Sequence, residues 1–266
     1  MNFNYFSSIL QNNTFSGLIV GQNIVALQQV DSTNNYLKNK LAKSAPVPEG
    51  TVIMAEEQFA GRGQHENNWV TEPGRNLTFS VLLCPVFLDP RQQFKLNIAV
   101  SLAIRDALEP ILGDKLKIKW PNDIYFGDAK LGGILIENIV RGSLWKYSVA
   151  GIGINVNQTS FPANLKAVTS LKDVLTTDYD KYELLNNICR QLSLRYEELK
   201  NGAVQHMAEY QASLFRFNED HLFEIEGIVR SGRIVDVVDD GRIRIETEGQ
   251  AHLYAFREIS FVISGN

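Results

Sequence analysis

Three stretches of this 266-residue chain carry residue types that a packed core has little use for. The first is AGRGQHENNW, residues 60–69. It fits neither helical nor strand periodicity. Gly61 and Gly63 permit close backbone approach, and Arg62 between them holds out a planar fork of donors matched to carboxylate or phosphate. An arginine in an exposed turn would look the same from this loop alone. The second stretch is KIKWPNDIYFGDAKLGGILIEN, residues 117–138. Trp-Pro keeps Trp120 out of the helical region and makes a rigid bend. Asn122 and Asp123 follow it, where side-chain oxygens meet backbone donors easily. Lys130 opens a strand that is otherwise apolar; such a lysine either snorkels outward or points a cation into a cleft. Gly132 and Gly133 weaken that strand and suit the close approach of a ligand or a second backbone. The third stretch is AGIGINVN, residues 150–157. Gly151 and Gly153 share one strand face, and Ile152, Ile154 and Val156 share the other. A bare glycine face can floor a flat pocket, which Asn155 and Asn157 extend with amide groups.

The chemistry these residues suggest is the handling of anions without a preformed phosphate loop. Neither GxxxxGK[ST] nor a GxGxxG after a strand is present, so phosphate falls to isolated arginine and lysine donors. No Ser/His/Asp or Cys/His order supports a nucleophilic enzyme. The four histidines (His65, His206, His221, His252) are scattered and no CxxC occurs, which argues against structural zinc. Cys84 and Cys189 sit in apolar patterns and read as reduced, partly buried thiols.

These segments need elements to position them. Strand patterns cover residues 23–30, 50–58 and 76–83. Asp31, Ser32 or Thr33 can cap a helix carrying Tyr36, Leu37 and Leu41. A long amphipathic helix is predicted from about Arg91, with Phe94, Ile98 and Leu102 spaced by four and Pro110 and Gly113 ending it. Four strand segments follow, joined mostly by short turns that favour antiparallel pairing. Two further helices begin near Lys181 and Ala203. From about Asn218 the pattern alternates, Asp240-Gly241 signals a hairpin, and five short strands predict a small SH3-like β-barrel. The expected organisation is residues 1–217 and 218–266, an α+β unit with a mixed, largely antiparallel central sheet flanked by helices, then the barrel.

A hydrophobic fraction of 44% supports a real core, and a net charge of -4 gives no global reason to expect DNA. The first basic residue is Lys38, so no signal-peptide n-region is visible, and no apolar run approaches the roughly 20 residues that span a bilayer. The expected setting is cytoplasmic, with no membrane contact.

The fragments DSTNNYL, AEEQFAGRG…W, KWPND, KLGGILIE and GIGIN, in this order, resemble the biotin–protein ligases. The resemblance runs from Asp31 into the C-terminal segment. It implies the class II synthetase-like catalytic fold of the biotin–lipoate ligases, with an SH3-like barrel behind it. It implies activation of biotin by ATP and magnesium to biotinyl-5′-AMP, then transfer to one lysine of a biotin carboxyl carrier protein or domain. By position it implies biotin contacts from Ser32, Thr33, Asn34, Gln58, Gly61, Arg62, Lys130, Gly132, Gly151 and Gly153. It implies nucleotide or adenylate contacts from Arg62, Gly63, Trp69, Lys119, Asn122, Asp123, Lys130 and Asn155. Lys130 and Arg62 take the catalytic roles, and Asp123 is a candidate magnesium ligand.

The loop departs from the GRGRxGRxW pattern that the resemblance brings with it. Gln64 and Asn67 replace arginines, and Glu66 stands where glycine is usual. Glu66 beside an anionic intermediate implies looser retention of that intermediate. The loop as a whole reads as a lid, a glycine–arginine hinge with a Trp69 latch, ordered by biotinyl-AMP. The residues before DSTNN look too few for the helix-turn-helix of bifunctional members, so a DNA-binding repressor is the disfavoured alternative. Others are a lipoate or octanoate ligase of the same fold, and a binder that has lost catalysis. Monomer and homodimer are both compatible with the sequence.

Overall fold

The computed structural model describes residues 18–43, 46–64, 67–142, 144–163, 165 and 167–263. Seven strands form the first sheet: β1 (Ile24–Val30), β2 (Val52–Gln58), β3 (Leu77–Leu83), β4 (Leu116–Lys119), β5 (Asp123–Phe126), β6 (Ala129–Arg141) and β7 (Leu144–Ile154). Their order is β1-β2-β3-β7-β6-β5-β4. Only β1 and β2 run parallel; every other neighbour is antiparallel. The parallel pair is joined by α1 (Thr33–Ala42), the crossover that parallel strands require.

The two faces of the sheet differ in chemistry. Phe79, Val81, Ile134, Ile152 and Ile154 face the main core, beneath α2 (Gln93–Leu112) and α4 (Lys181–Lys200). The alanines of α2, Ala99, Ala103 and Ala107, are buried, as close helix packing demands. Pro110 does not end α2; it lies inside the last turn, and Gly113 at φ 68° closes the helix with its N–H on the Glu109 carbonyl. The opposite face carries α1, anchored by Leu37 against Ile53, Leu82 and Val149. Leu37 is the only buried apolar residue of α1, so Leu37→Ala should cost about 2–5 kcal/mol and loosen that helix. Beyond the start of α1 this face is left bare by Gly133, Gly151 and Gly153.

Short α3 (Leu171–Leu175) and α5 (His206–Ala212) are the remaining α-helices among the described residues. Five strands, β8 (Asp220–Ile225), β9 (Ile228–Val237), β10 (Ile243–Thr247), β11 (Gln250–Tyr254) and β12 (Ile259–Phe261), form a second, antiparallel sheet. Its order is β11-β10-β9-β8-β12, and among the described residues β11 and β12 do not pair. The expected closed barrel is therefore corrected to an open five-stranded sheet. Closure would need the gap by β11 and β12 to be spanned, but β12 is only three residues long, and polar Glu224, Arg230, His252 and Glu258 line the opening.

The second sheet is fastened to the first by specific contacts. Trp120 Nε1 donates to the Gly241 carbonyl at 2.9 Å. Gly241, at φ 91°, lies so close to Phe94 that a Cβ there would meet the ring at 2.6 Å. Arg216 joins Asp128 at 2.9 Å and also donates to the Val262 carbonyl.

Candidate active site

A cavity of about 390 Å³ opens over the bare sheet face, between the start of α1, residues 61–69 and the second sheet. Its floor is Gly133, Gly151 and Gly153. Adjacent strands place Gly133 beside Gly153, and Gly151 between Ser80 and Leu135. A side chain at Gly151 would collide with Asn34 Oδ1 at 2.4 Å, and one at Gly153 with the Trp69 indole at 2.4 Å.

One end is a cluster of neutral polar groups. Gln58 Oε1 accepts from both the backbone N–H and the hydroxyl of Thr33, at 2.8 and 3.0 Å. The Ser80 hydroxyl lies 2.7 Å from Thr33 Oγ1 and 2.6 Å from Asn34 Oδ1, with one proton to give. Ser32 holds the N-cap position in extended conformation, yet its hydroxyl makes no capping bond and is buried against the cavity. Donors and acceptors fixed in this way suit a ligand with a small polar head.

The other end is cationic. Lys130 Nζ lies 2.7 Å from Asp123 Oδ1. Gly133 makes room for this pair: a Cβ there would stand 3.2 Å from Asp123 Oδ1 and 3.4 Å from Lys130 Nζ. Lys130 is held by its backbone, which donates to Ala167 and accepts from Thr169. Lys119 lies over the rings of Tyr125 and Phe261, at 5.3 and 5.0 Å. Burial pulls its ammonium below the usual lysine range; the Asp123 charge opposes this and the Lys130 charge adds to it. Asn122 spends its amide on the Ile134 carbonyl and so braces the bend after Pro121.

The loop makes the roof. Gly63 donates to the Asn67 carbonyl at 2.7 Å and Trp69 to the Gly61 carbonyl at 3.0 Å, with a bridge between Arg62 and Asn68. This short hairpin lays the Trp69 indole on Gly153. Trp69 Nε1 is buried with no partner among the described residues. Arg62 Nη1 donates to Asn35 Oδ1 at 3.0 Å and to both Glu137 oxygens, at 2.9 and 3.1 Å. Burial raises the Glu137 carboxyl, but the bonds from Lys38 and Asn34 and the charges of Lys38 and Arg62 outweigh it and hold it below the usual range.

Thirteen of the residues singled out in the sequence line this one cavity: Ser32, Thr33, Asn34, Gln58, Arg62, Gly63, Trp69, Lys119, Asn122, Asp123, Lys130, Gly151 and Gly153. Three do not. Gly61 sits beneath the Trp69 carbonyl, where a Cβ would approach to 2.2 Å, and serves the turn. Gly132 points to the core side, against Ile154 and the Gly153 carbonyl, so the floor glycine of β6 is Gly133. Asn155 gives its amide to the Thr169 carbonyl at 3.0 Å, and Asn157 is tied to Tyr179. Glu66 lies outside the described residues.

Other lining or supporting residues escaped the sequence reading. Ser80 could have been found as a lone hydroxyl in an apolar strand. Asn35 and Glu137 gave no local signal for their contacts with Arg62. Phe256, Arg257, Ile259, Ser260 and Phe261 bring the second sheet into the wall. Arg257 adopts φ 94°, a conformation that costs a non-glycine residue on the order of 1–3 kcal/mol. Among the described residues no three His, Cys, Asp or Glu side chains gather as a metal site. No described helix is long and apolar enough to cross a membrane.

Residues 26–155 match the biotin/lipoate A/B protein ligase family. The biotin–[acetyl-CoA-carboxylase] ligase of Mycobacterium tuberculosis is 29% identical over 228 residues, covering 84% of this chain and 82% of that protein. The bifunctional ligase/repressor BirA of Bacillus spizizenii is 33% identical over 184 residues, 68% of this chain but 55% of its own length. The biotin protein ligase of Aquifex aeolicus, solved in complex with biotin and ATP, superposes with a TM-score of 0.76 at 28% identity, over 91% of this chain and all of that one.

Proposed function

We propose that this chain, which belongs to the biotin/lipoate A/B protein ligase family, is a biotin–protein ligase. It activates biotin with ATP to biotinyl-5′-AMP and transfers biotin to a lysine of a carboxyl carrier protein or domain. One observation carries the assignment of roles: a neutral hydrogen-bonding end and a cationic end share one glycine-floored cavity. The ureido head of biotin suits the first, where Ser32, Thr33, Asn34 and Gln58 offer matched donors and acceptors. Biotin's valeryl chain runs through the cavity beside the Trp69 indole, and its carboxylate reaches toward Lys130 and Arg62.

Activation brings that carboxylate to the α-phosphorus of ATP, and pyrophosphate leaves. Two unit charges 4 Å apart repel by about 4 kcal/mol at an effective dielectric constant near 20. Lys130 and Arg62 offset this and hold the charge that develops in the transition state. Lys119, Asn122 and Asp123 take the nucleotide end, and Trp69 covers the adenylate against water. In the second step the acceptor amine attacks the acyl carbonyl and AMP leaves.

The donor set also fits magnesium carried in on the triphosphate. Magnesium keeps several waters and takes one or two carboxylates plus phosphate oxygens, and Asp123 is the only carboxylate among the described lining residues. Bound there, the ion would neutralise phosphate charge. Residues 1–217 then act as the catalytic unit and residues 218–266 as a divergent, open SH3-like unit that closes the nucleotide end.

The test is labelling of an apo carrier domain with biotin, ATP and magnesium, read with streptavidin, beside a parallel arm with lipoate or octanoate. Biotin transfer that is lost in a folded Lys130→Ala variant is expected. Transfer of lipoate alone would reassign the substrate, and full activity of Lys130→Ala would refute the role of that lysine.

A further inference from the structure

Glu137 lies just beyond the cavity floor, two residues past Leu135 on the same face of β6 as Gly133 and Leu135. Nothing in the roles above uses it. Three side chains nevertheless converge on its carboxylate: Lys38 Nζ at 2.7 Å, Asn34 Nδ2 at 2.9 Å and Arg62 Nη1 at 2.9 and 3.1 Å. They come from two elements, helix α1 and the loop over the cavity.

The way Arg62 is held is informative. Nη1 alone takes both Glu137 and Asn35, and Asn35 is itself fixed by donating to Asp31 at 2.9 Å. Among the described residues no hydrogen bond engages Nε or Nη2. A guanidinium is a rigid planar fork, so pinning one nitrogen fixes where the opposite edge points. That edge is the one that can meet a carboxylate or phosphate with two parallel bonds. Asn34, the second donor to Glu137, packs directly on Gly151 of the floor. Lys38 keeps the half-buried carboxylate compensated as Arg62 turns to an anion.

We propose that Glu137 is a positioning residue for activation: it pins Arg62 by Nη1 so that the Nε–Nη2 edge faces the reacting carboxylate and α-phosphate, and through Asn34 it ties that pose to the pocket floor. The proposal rests on the ligase reading above and adds a residue to it. It concerns formation of the adenylate, which needs both anions aligned, more than the later attack by lysine.

The experiment measures biotinyl-AMP formation in single turnover, biotin affinity without ATP, and Tm, for Glu137→Gln, Arg62→Lys, Arg62→Ala and Glu137→Gln/Arg62→Ala. Glutamine replaces one acceptor oxygen with a donor facing Arg62, Lys38 and Asn34. Glu137→Gln should slow adenylate formation 10- to 50-fold, with biotin affinity within threefold of wild type. In the Arg62→Ala background the same change should slow it less than threefold. A residue that only braces α1 would lower Tm and multiply the loss in both backgrounds, and that result overturns the proposal. Arg62→Lys has no second edge to present and should be nearly as slow as Arg62→Ala; wild-type speed there overturns it too, and this arm decides if Glu137→Gln does not fold. If wild-type protein makes no biotinyl-AMP at all, the ligase reading fails; if it does and Glu137→Gln keeps pace, only the role of Glu137 fails.

Discussion

Gly153→Ala separates the work of the floor from the stability of the fold. Gly153 has no positive φ, so alanine can adopt its backbone, and alanine costs a strand no more than glycine. The added methyl has one obstacle: it would stand 2.4 Å from Trp69 Cε2 and 2.7 Å from Nε1. Indole and methyl cannot both remain, and the loop is the softer partner. Half of the 150–250 Å² that a tryptophan can bury, at about 25 cal/mol per Å², is worth about 2 kcal/mol. That is ~30-fold in the closed-to-open ratio of the loop, and release of biotinyl-AMP should quicken by a similar factor. Trp120 and Trp145 are 4% and 1% exposed, so a red shift in emission would report Trp69 alone. Single-turnover synthesis followed by a chase with excess unlabelled biotin gives the release rate, and thermal unfolding gives the stability. A Gly153→Ala protein with unshifted emission and unchanged release would refute the latch. So would a fall of several degrees in Tm, because the floor would then be structural.

Three further outcomes follow from the same geometry. Burial lowers the Lys119 ammonium from its ordinary 10.5, so its charge is lost at a lower pH than that. The KM for ATP should therefore climb as pH rises toward 10.5, and the Lys119→Arg enzyme, charged throughout, should flatten that limb; parallel limbs would remove Lys119 from the nucleotide site. Arg257→Gly should raise stability by about 1 kcal/mol in denaturant titration by releasing the positive-φ strain, while raising the KM for ATP. An unchanged KM would make Arg257 mere wall. Trp120→Phe leaves the Gly241 carbonyl without its donor and should cost about 1–3 kcal/mol, with hydrogen exchange quickening first in β9 and β10; uniform quickening would mean that the second sheet is not separately fastened.

The elements were legible where burial is one-sided. The stripe of α2 and the alternation of β8 to β10 each face a core on one side and solvent or another layer on the other. The hairpin at Asp240-Gly241 was written in its residue types, and Gly241 does adopt positive φ. Closure of the second sheet was not legible. Whether a barrel closes depends on β12, already paired with β8, also finding β11 at the other edge, and three residues of β12 with a charged gap beside them do not carry that information in any local pattern.

In the cavity, the glycines show where local reading stops. Leu131, Ile134, Leu135 and Ile136 put apolar residues on both parities of β6, because this strand is buried on both sides at that point. Alternation then cannot say whether Gly132 or Gly133 faces the ligand. A register shift opposite Ile124 and Tyr125 removes the parity of Lys130 as a guide as well. In β7 the same question was easy, since Ile152 and Ile154 fix one face and leave Gly151 and Gly153 for the other. The Lys130–Asp123 pair resolves it in space: only Gly133 lies within 3.2 Å of Asp123 Oδ1 when given a Cβ, so the glycine that β6 needs on the cavity side is the one that leaves room for this ion pair. Gly133→Ala should therefore disturb Lys130 itself, whereas Gly132→Ala would be resisted by Ile154 and the Gly153 carbonyl on the core side and would act through stability. The two adjacent glycines thus separate into one on the cavity side, beside Lys130 and Asp123, and one on the core side that serves the packing, a division that sequence spacing alone could not make.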